Sequence, residues 1–337
     1  MALTNRRRFF QGASFAALGS GGAALAQPDP SPHTRGMARG LTLLTIRRDG
    51  HDRLAVKTKD GILDVADAAK LLRLPAPLTT DELLQNEDGP RLNAIVDAAA
   101  KSAKSSKAKS LWLKEENLQY GPLVGRPGKI LCVGLNYRAH VQESGRPLPT
   151  SPVLFNKFNN ALHAHEVPLP LPSRVATKFD YEVELVLFIG KEANNVSEAD
   201  ALSYVAGYAT GNDLSARDLQ LETGGQWMLG KTPNHFGPIG PYLVTADQID
   251  PHNLKIECRV NGETRQSSST SRMIFNCRYL VSYISRYITL KPGDVIFTGT
   301  PEGVIQGMAK DKQVWLKAGD KIACSVEKLG ELRFTLA

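Results

Sequence analysis

The chain has 337 residues, of which 42% are hydrophobic and 22% are charged. It is therefore long and apolar enough to bury a full core, which excludes a disordered protein. The formal net charge of +7 comes from basic residues scattered along the chain, a pattern that favours a solvated surface attracting small anions over nucleic-acid binding.

The first 26 residues have the order of an export signal. A run of three arginines and two phenylalanines, Arg6 to Phe10, precedes a Gly- and Ala-rich apolar stretch, and Ala24 to Ala26 provide small residues for signal-peptidase cleavage. This order predicts a twin-arginine signal and a periplasmic protein exported after folding. A disordered basic tail is the alternative. The apolar stretch is too short for a permanent membrane anchor, so no membrane contact is expected after cleavage.

Residues 27–36 are rich in proline and polar residues and indicate a linker, and residues 37–127 indicate a small α/β domain. Strand-like runs at Leu41 to Ile46 and Leu54 to Val56 precede a turn at Gly61, and apolar residues at helical spacing follow from Val65 to Leu72. The Lys101 to Lys109 stretch indicates a helix end and a solvated loop. No cluster in this region suggests chemistry.

Residues 128–337 contain short β-rich runs separated by Gly and Pro turns, which predict a β-dominated domain. Helical periodicity predicts helices over Ala199 to Tyr208 and over Asn276 to Ile288. The four cysteines lie far apart without a CxxC pair, so we expect buried free thiols and neither a zinc site nor a disulfide framework.

Three acids, Asp180, Glu182 and Glu184, alternate along an otherwise apolar segment, so the two-residue period of a strand would place their carboxylates on one face. If the strand is buried, each unpaired acid carries a large energetic cost, which a divalent cation removes. All-oxygen ligands suit Mg²⁺, Mn²⁺ or Ca²⁺ better than zinc. A solvent-facing edge strand is the alternative. Asp213, which follows an apolar run, is the best candidate for a third ligand. The alternative is that Asp213 only caps a helix or stabilises a turn.

Five ordered motifs between residues 128 and 337 resemble the fumarylacetoacetate hydrolase family. They are Gly134 to His140, Glu182 to Glu184, Asn212 to Asp218, Gly230-Lys231 and Thr298 to Val304. The resemblance implies an α+β fold, with a mixed β-roll or β-sandwich of this family preceded by the small N-terminal α/β domain. It also implies assembly as a homodimer.

The resemblance assigns the divalent metal, Mg²⁺ or else Mn²⁺ or Ca²⁺, to Glu182, Glu184 and Asp213, with Asp180 behind them. It gives substrate binding to Arg217, Gln220 and Thr300, although each of these three could instead serve the hydrogen bonding of its own loop.

The same resemblance implies that His140 and Glu143 activate a water molecule and that Lys231 faces the substrate oxyanion. One helical turn separates His140 from Glu143, so the carboxylate can orient the imidazole.

These roles imply a metal-dependent enzyme for a small 2-oxo acid. We expect hydrolysis of a C–C bond in a 2,4-dioxo acid, of the acylpyruvate or diketo-deoxy sugar acid type, through an enolate. Isomerisation or decarboxylation at the same site, or a periplasmic binding protein without turnover, are the alternatives. Leu135 stands where some acylpyruvate-cleaving members carry arginine. Gly224 to Trp227 and Gly237 to Pro241 resemble the branch of diketo-deoxy sugar acid hydrolases and of sequences labelled ureidoglycolate lyase or hydroxymuconate isomerase.

Overall fold

The computed structural model of the protein describes residues 35–102 and 111–337. The predicted export signal over residues 1–26 therefore lies outside the described residues, as does most of the predicted linker over residues 27–36. The last linker residue, Gly36, is described and forms a parallel β-bridge with Asp88.

Eighteen strands and seven helices form in the described residues. The strands are β1 Thr42–Arg48, β2 His51–Thr58, β3 Gly61–Asp64, β4 Trp112–Leu113, β5 Ile130–Gly134, β6 Val153–Lys157, β7 Leu162–His163, β8 Phe179–Asp180, β9 Val183–Ile189, β10 Val205–Asn212, β11 Ser215–Ala216, β12 Gly237–Pro238, β13 Leu243–Thr245, β14 Lys255–Val260, β15 Glu263–Ser269, β16 Val295–Phe297, β17 Lys321–Val326 and β18 Glu331–Thr335. The helices are α1 Val65–Leu72, α2 Thr80–Gln85, α3 Gly89–Ser102, α4 Arg138–Glu143, α5 Arg217–Leu221, α6 Met228–Lys231 and α7 Cys277–Ser285.

A ten-stranded sheet runs through both halves of the chain, in the order β4-β3-β2-β1-β13-β10-β9-β16-β5-β6. The pairing of β16 with β5 is parallel, and the other pairings in this sheet are antiparallel. A second sheet has the order β15-β14-β17-β18. Few helices and a large mixed sheet confirm the predicted α+β class. The strands of the small N-terminal region join the large sheet through the antiparallel pairing of β1 with β13.

Strand β9 is an interior strand of the large sheet, between β10 and β16. All seven of its residues are buried, and six of them are apolar. Glu184 is the exception. A carboxylate in this position is removed from bulk water, so its ionised form is costly unless a nearby positive group balances the charge.

The prediction of a helix over Ala199 to Tyr208 is wrong. Only the short 3₁₀ turn Ala201–Tyr204 forms, and the chain then continues as β10. Because β10 pairs with β9 on one side and β13 on the other, the sheet satisfies its backbone and overrides the helical spacing of the apolar residues.

The helix predicted over Asn276 to Ile288 forms as α7, with a shorter C-terminal end. The Asn276 side chain caps it by accepting a hydrogen bond from the Tyr279 N–H. In the N-terminal region α1 forms where the apolar spacing predicts it, capped by Asp64. Helix α3 ends at Ser102, and most of the predicted Lys101 to Lys109 stretch lies outside the described residues.

The four cysteines are free and buried, as predicted. Among the described residues, no helix has both the length and the apolar character needed to cross a membrane.

Candidate active site

One cavity of about 130 Å³ is lined by every residue to which the sequence assigns a catalytic, metal-binding or substrate-binding role. These residues are His140, Glu143, Glu182, Glu184, Asp213, Arg217, Gln220, Lys231 and Thr300. They come from segments far apart in the chain, so the fold brings together the groups that the sequence motifs single out.

The carboxylates of Asp180, Glu182 and Glu184 do not share one continuous strand, and that prediction is wrong. Asp180 ends β8, Glu184 lies inside β9, and Glu182 lies between the two strands. At the break the Glu182 N–H donates to the side-chain oxygen of Asn212 in β10 at 3.1 Å, and not to a backbone carbonyl oxygen as in a regular sheet. The break lets Asp180 point to different partners from the other two acids.

Glu182, Glu184 and Asp213 form a buried cluster in which one carboxylate oxygen from each residue lies within 4.8 Å of those of the other two. Glu184 accepts a hydrogen bond of 2.6 Å from the Gly299 N–H, and within residues 35–102 and 111–337 it has no cationic side chain at ion-pair distance. Burial, and then the charges of Asp213 and Glu182, raise the pKa of Glu184 well above its usual value. A divalent cation would remove this repulsion, so the donor set fits Mg²⁺ or Mn²⁺.

Two buried lysines stand beside this cluster. Lys231 Nζ lies 2.5 Å from Glu182 Oε2 and 2.8 Å from Asp213 Oδ2. Burial alone would lower the pKa of Lys231, but the charges of Asp213 and Glu182 outweigh it and raise the pKa, so Lys231 is an ammonium at neutral pH.

Lys157, at the end of β6, is a residue that sequence reasoning missed. Its side chain is fully buried, with Nζ 2.5 Å from Asp213 Oδ1 and 2.8 Å from the Phe236 carbonyl oxygen. Among the residues that the structure describes, Asp213 Oδ1 has no hydrogen-bond partner, so its contact with Lys157 is an ion pair without hydrogen-bond geometry. A lone lysine at a strand end resembles a surface residue, and only its long-range contacts show that it fixes the Asp213 carboxylate.

Arg217 links the cluster to the wall of the cavity. Its guanidinium donates to Glu182 at 2.7 Å, to Asp180 at 2.8 Å and to Gln220 at 2.9 Å. Arg217 and Gln220 thus line the cavity, with the Arg217 guanidinium engaged by Glu182 and Asp180 and the Gln220 side-chain oxygen engaged by Arg217. Thr300 is engaged as well, since its hydroxyl donates to the Val183 carbonyl oxygen at 2.9 Å.

His140 and Glu143 meet on α4. His140 Nδ1 lies 2.8 Å from Glu143 Oε1, and Glu143 Oε2 accepts a hydrogen bond from the Gly303 N–H at 2.9 Å. The carboxylate therefore fixes the imidazole ring, and the described residues form no hydrogen bond with Nε2. That nitrogen is the atom available to exchange a proton with a molecule in the cavity.

Asp180 supports the site from behind, because its carboxylate accepts hydrogen bonds from Arg217 and from the N–H groups of Ile305 and Gln306. We expect Asp180→Ala to lower the free energy of unfolding by about 3 to 5 kcal/mol, since it removes one of the two carboxylates paired with the buried Arg217 and the acceptor of the Ile305 and Gln306 N–H groups. Urea denaturation measures the change. The exposed Asp200→Ala is the control, and equal stability of the two variants would contradict this role.

Similarity to known proteins falls on the same residues. Residues 129–337 match the family described as fumarylacetoacetate (FAA) hydrolase C-terminal. An oxaloacetate tautomerase of Rattus norvegicus is 47% identical over 208 residues, which cover 61% of this chain and 66% of the relative. The chain thus spans just under two thirds of the length of that curated relative.

Two solved structures extend the likeness to the fold. A fumarylacetoacetate hydrolase from Exiguobacterium antarcticum shares 29% sequence identity and a TM-score of 0.71, covering 88% of this chain and 99% of that one. A fumarylpyruvate hydrolase from Pseudomonas aeruginosa, in complex with Mn²⁺ and pyruvate, shares 37% identity and a TM-score of 0.56, covering 62% and 89%.

Proposed function

The chain belongs to the fumarylacetoacetate hydrolase family, and we propose that it is a divalent-metal-dependent enzyme that interconverts the keto and enol forms of a small 2-oxo acid. The observation that carries this proposal is one cavity holding the cluster Glu182, Glu184 and Asp213 together with the His140 and Glu143 pair. The similarity to oxaloacetate tautomerases supports oxaloacetate as the first substrate to test.

In this reaction the keto form loses a proton from C3 and its 2-oxo oxygen gains one to give the enol; in the reverse direction the enol hydroxyl loses its proton and C3 gains one. The three carboxylates would hold a divalent cation, which would supply a Lewis acid for the negative charge that develops on the 2-oxo oxygen. His140, oriented by Glu143, exchanges the proton through Nε2. The Lys231 ammonium, held at the cluster by Glu182 and Asp213, adds a fixed positive charge on the side where the oxyanion develops.

Hydrolysis of a 2,4-dioxo acid is the second candidate, and it is the reaction that the sequence favours. The same His140 and Glu143 pair can activate a water molecule. The similarity to a fumarylpyruvate hydrolase whose structure holds Mn²⁺ and pyruvate supports this candidate. The two reactions share the enolate. They differ in whether His140 exchanges a proton with C3 of the substrate or takes one from a water molecule.

A substrate panel separates these functions. The wild-type protein is assayed with Mg²⁺ or Mn²⁺ on oxaloacetate and on 2,4-dioxo acids, following both enol absorbance and pyruvate release. We expect catalysed loss of the oxaloacetate enol without pyruvate. Pyruvate from the dioxo acids would favour hydrolysis, pyruvate from oxaloacetate would favour decarboxylation, and the absence of multiple turnovers would favour a binding protein.

We also propose a periplasmic location, on the basis of Arg6 and Arg7, and a homodimer, on the basis of the family resemblance. Replacing both arginines with lysine should leave the precursor in the cytoplasm, because the twin-arginine route requires the arginine pair. Fractionation and immunoblotting measure the distribution. Normal periplasmic levels of mature double variant would refute the export proposal, and sedimentation velocity of the purified protein tests the homodimer.

A further inference from the structure

Arg146 differs from the other basic side chains of the cavity. His140, Arg217 and Lys231 each contact a carboxylate. Arg146 lines the same cavity and forms no ion pair with any residue in the described ranges 35–102 and 111–337. An exposed arginine is ordinarily a solvated surface group, but here an uncommitted positive charge stands in the wall of the site.

The backbone of Arg146 is fixed relative to the acid–base pair. Helix α4 ends in a Schellman motif, in which the Gly145 N–H donates to the Gln142 carbonyl oxygen at 3.1 Å and the Arg146 N–H donates to that of Val141 at 3.2 Å. Gly145 provides the left-handed conformation that the motif requires, with φ of 61°. The backbone of Arg146, which is six residues after His140, therefore holds a set position at the end of the helix.

Gln306 is a second uncommitted polar side chain in the cavity wall. Its N–H donates to Asp180 at 3.0 Å, which fixes the loop, while its side-chain amide makes no hydrogen bond within the described part of the chain. The cavity thus combines an inner end rich in paired charges with two fixed residues whose polar tips are free to bind a ligand.

We propose that Arg146, assisted by the Gln306 amide, binds the second carboxylate of the substrate and makes the enzyme selective for dicarboxylic 2-oxo acids. The inference rests on the proposed function, in which the 2-oxo end of the substrate lies at the carboxylate cluster. A guanidinium suits this role, because its planar pair of N–H donors matches a carboxylate and it stays charged at every physiological pH.

The test compares oxaloacetate with its 4-methyl ester, which keeps the 2-oxo acid end and lacks the distal charge. Both kcat/KM and the dissociation constant, from calorimetry with Mg²⁺ present, are measured for the wild type, Arg146→Met and Arg146→Lys. Arg138→Met is the matched control, because Arg138 begins the same helix α4 and does not line the cavity.

We expect Arg146→Met to lower kcat/KM for oxaloacetate by about ten- to a hundredfold, mainly through KM, and to change that for the ester by less than about twofold. Arg146→Lys should recover part of the loss, and Arg138→Met should match the wild type. Equal losses for both substrates, or no loss for either, would overturn the inference.

Binding separates this inference from the proposed function. An inactive wild type that still prefers oxaloacetate over the ester, with the preference lost in Arg146→Met, would contradict the proposed reaction and retain the dicarboxylate subsite. If both substrates are turned over and Arg146→Met has no effect, the proposed reaction is retained and the dicarboxylate subsite is contradicted. If the protein neither turns over nor binds oxaloacetate, both the proposed reaction and the dicarboxylate subsite are contradicted.

Discussion

Replacing Glu184 with glutamine should abolish divalent-metal binding and lower the metal-dependent rate by about a hundred- to a thousandfold. Glu184 is buried in β9, and its charge is opposed by Asp213 and Glu182 and matched by no cationic side chain within 35–102 and 111–337. Glutamine keeps the shape and can still accept the Gly299 hydrogen bond, but it removes one anionic ligand. The rate change corresponds to several kcal/mol of lost charge stabilisation.

Thermal unfolding gives a readout that needs no turnover. At a metal concentration about 100 times the Kd, binding should stabilise the wild type by about 2.7 kcal/mol, and Glu184→Gln should lose that gain. Without metal, the variant should be at least as stable as the wild type, because it no longer buries an unpaired carboxylate. Glu198→Gln, an exposed change, is the control. Unchanged stabilisation of Glu184→Gln by Mg²⁺ or Mn²⁺ would show that the cluster is not the metal site.

The second large effect is expected for His140→Ala, which should lower kcat by about 10²- to 10⁴-fold while metal still stabilises the fold. His140 is held 2.8 Å from Glu143 and does not contact the three metal-binding carboxylates through any described hydrogen bond. Because the two residues act as a unit, the double variant with Glu143→Ala should be little slower than His140→Ala alone. Steady-state rates and thermal shifts with Mg²⁺ measure the two properties separately.

The same variant distinguishes tautomerisation from hydrolysis. If His140 transfers the proton to and from C3, His140→Ala loses both turnover and the exchange of the C3 proton with deuterium. If His140 instead activates water, exchange survives while C–C cleavage fails. A His140→Ala enzyme with wild-type turnover would refute both roles and place the acid–base group elsewhere.

The sequence motifs single out the residues that line the cavity, but they indicate neither the buried Lys157 nor the contacts that join the residues. The motif order predicts that Glu182, Glu184 and Asp213 come together, and the cavity contains them all. Alternation alone also places Asp180 with them, whereas the chain breaks at Glu182 and Asp180 turns to Arg217. A break of this kind depends on side chains distant in sequence, which a two-residue period cannot reveal.

Two other differences have the same cause. Residues 205–208 carry helical spacing but form part of β10, because strands on both sides offer it hydrogen-bond partners. Lys157 is buried against Asp213 by contacts more than fifty residues away in the chain. Local pattern indicates the type of an element only where distant partners do not override it, and it does not indicate which isolated polar residue becomes buried.

The central claim is that the carboxylate cluster makes the enzyme metal-dependent in enolising a 2-oxo acid. The most direct measurement is the rate of oxaloacetate enol loss by wild-type protein stripped of metal and then titrated with Mg²⁺ or Mn²⁺. We predict that the stripped protein shows the uncatalysed rate and that activity rises to saturation at one metal ion per chain. Full activity in the stripped protein, or no catalysis after one ion has bound per chain, would contradict the claim.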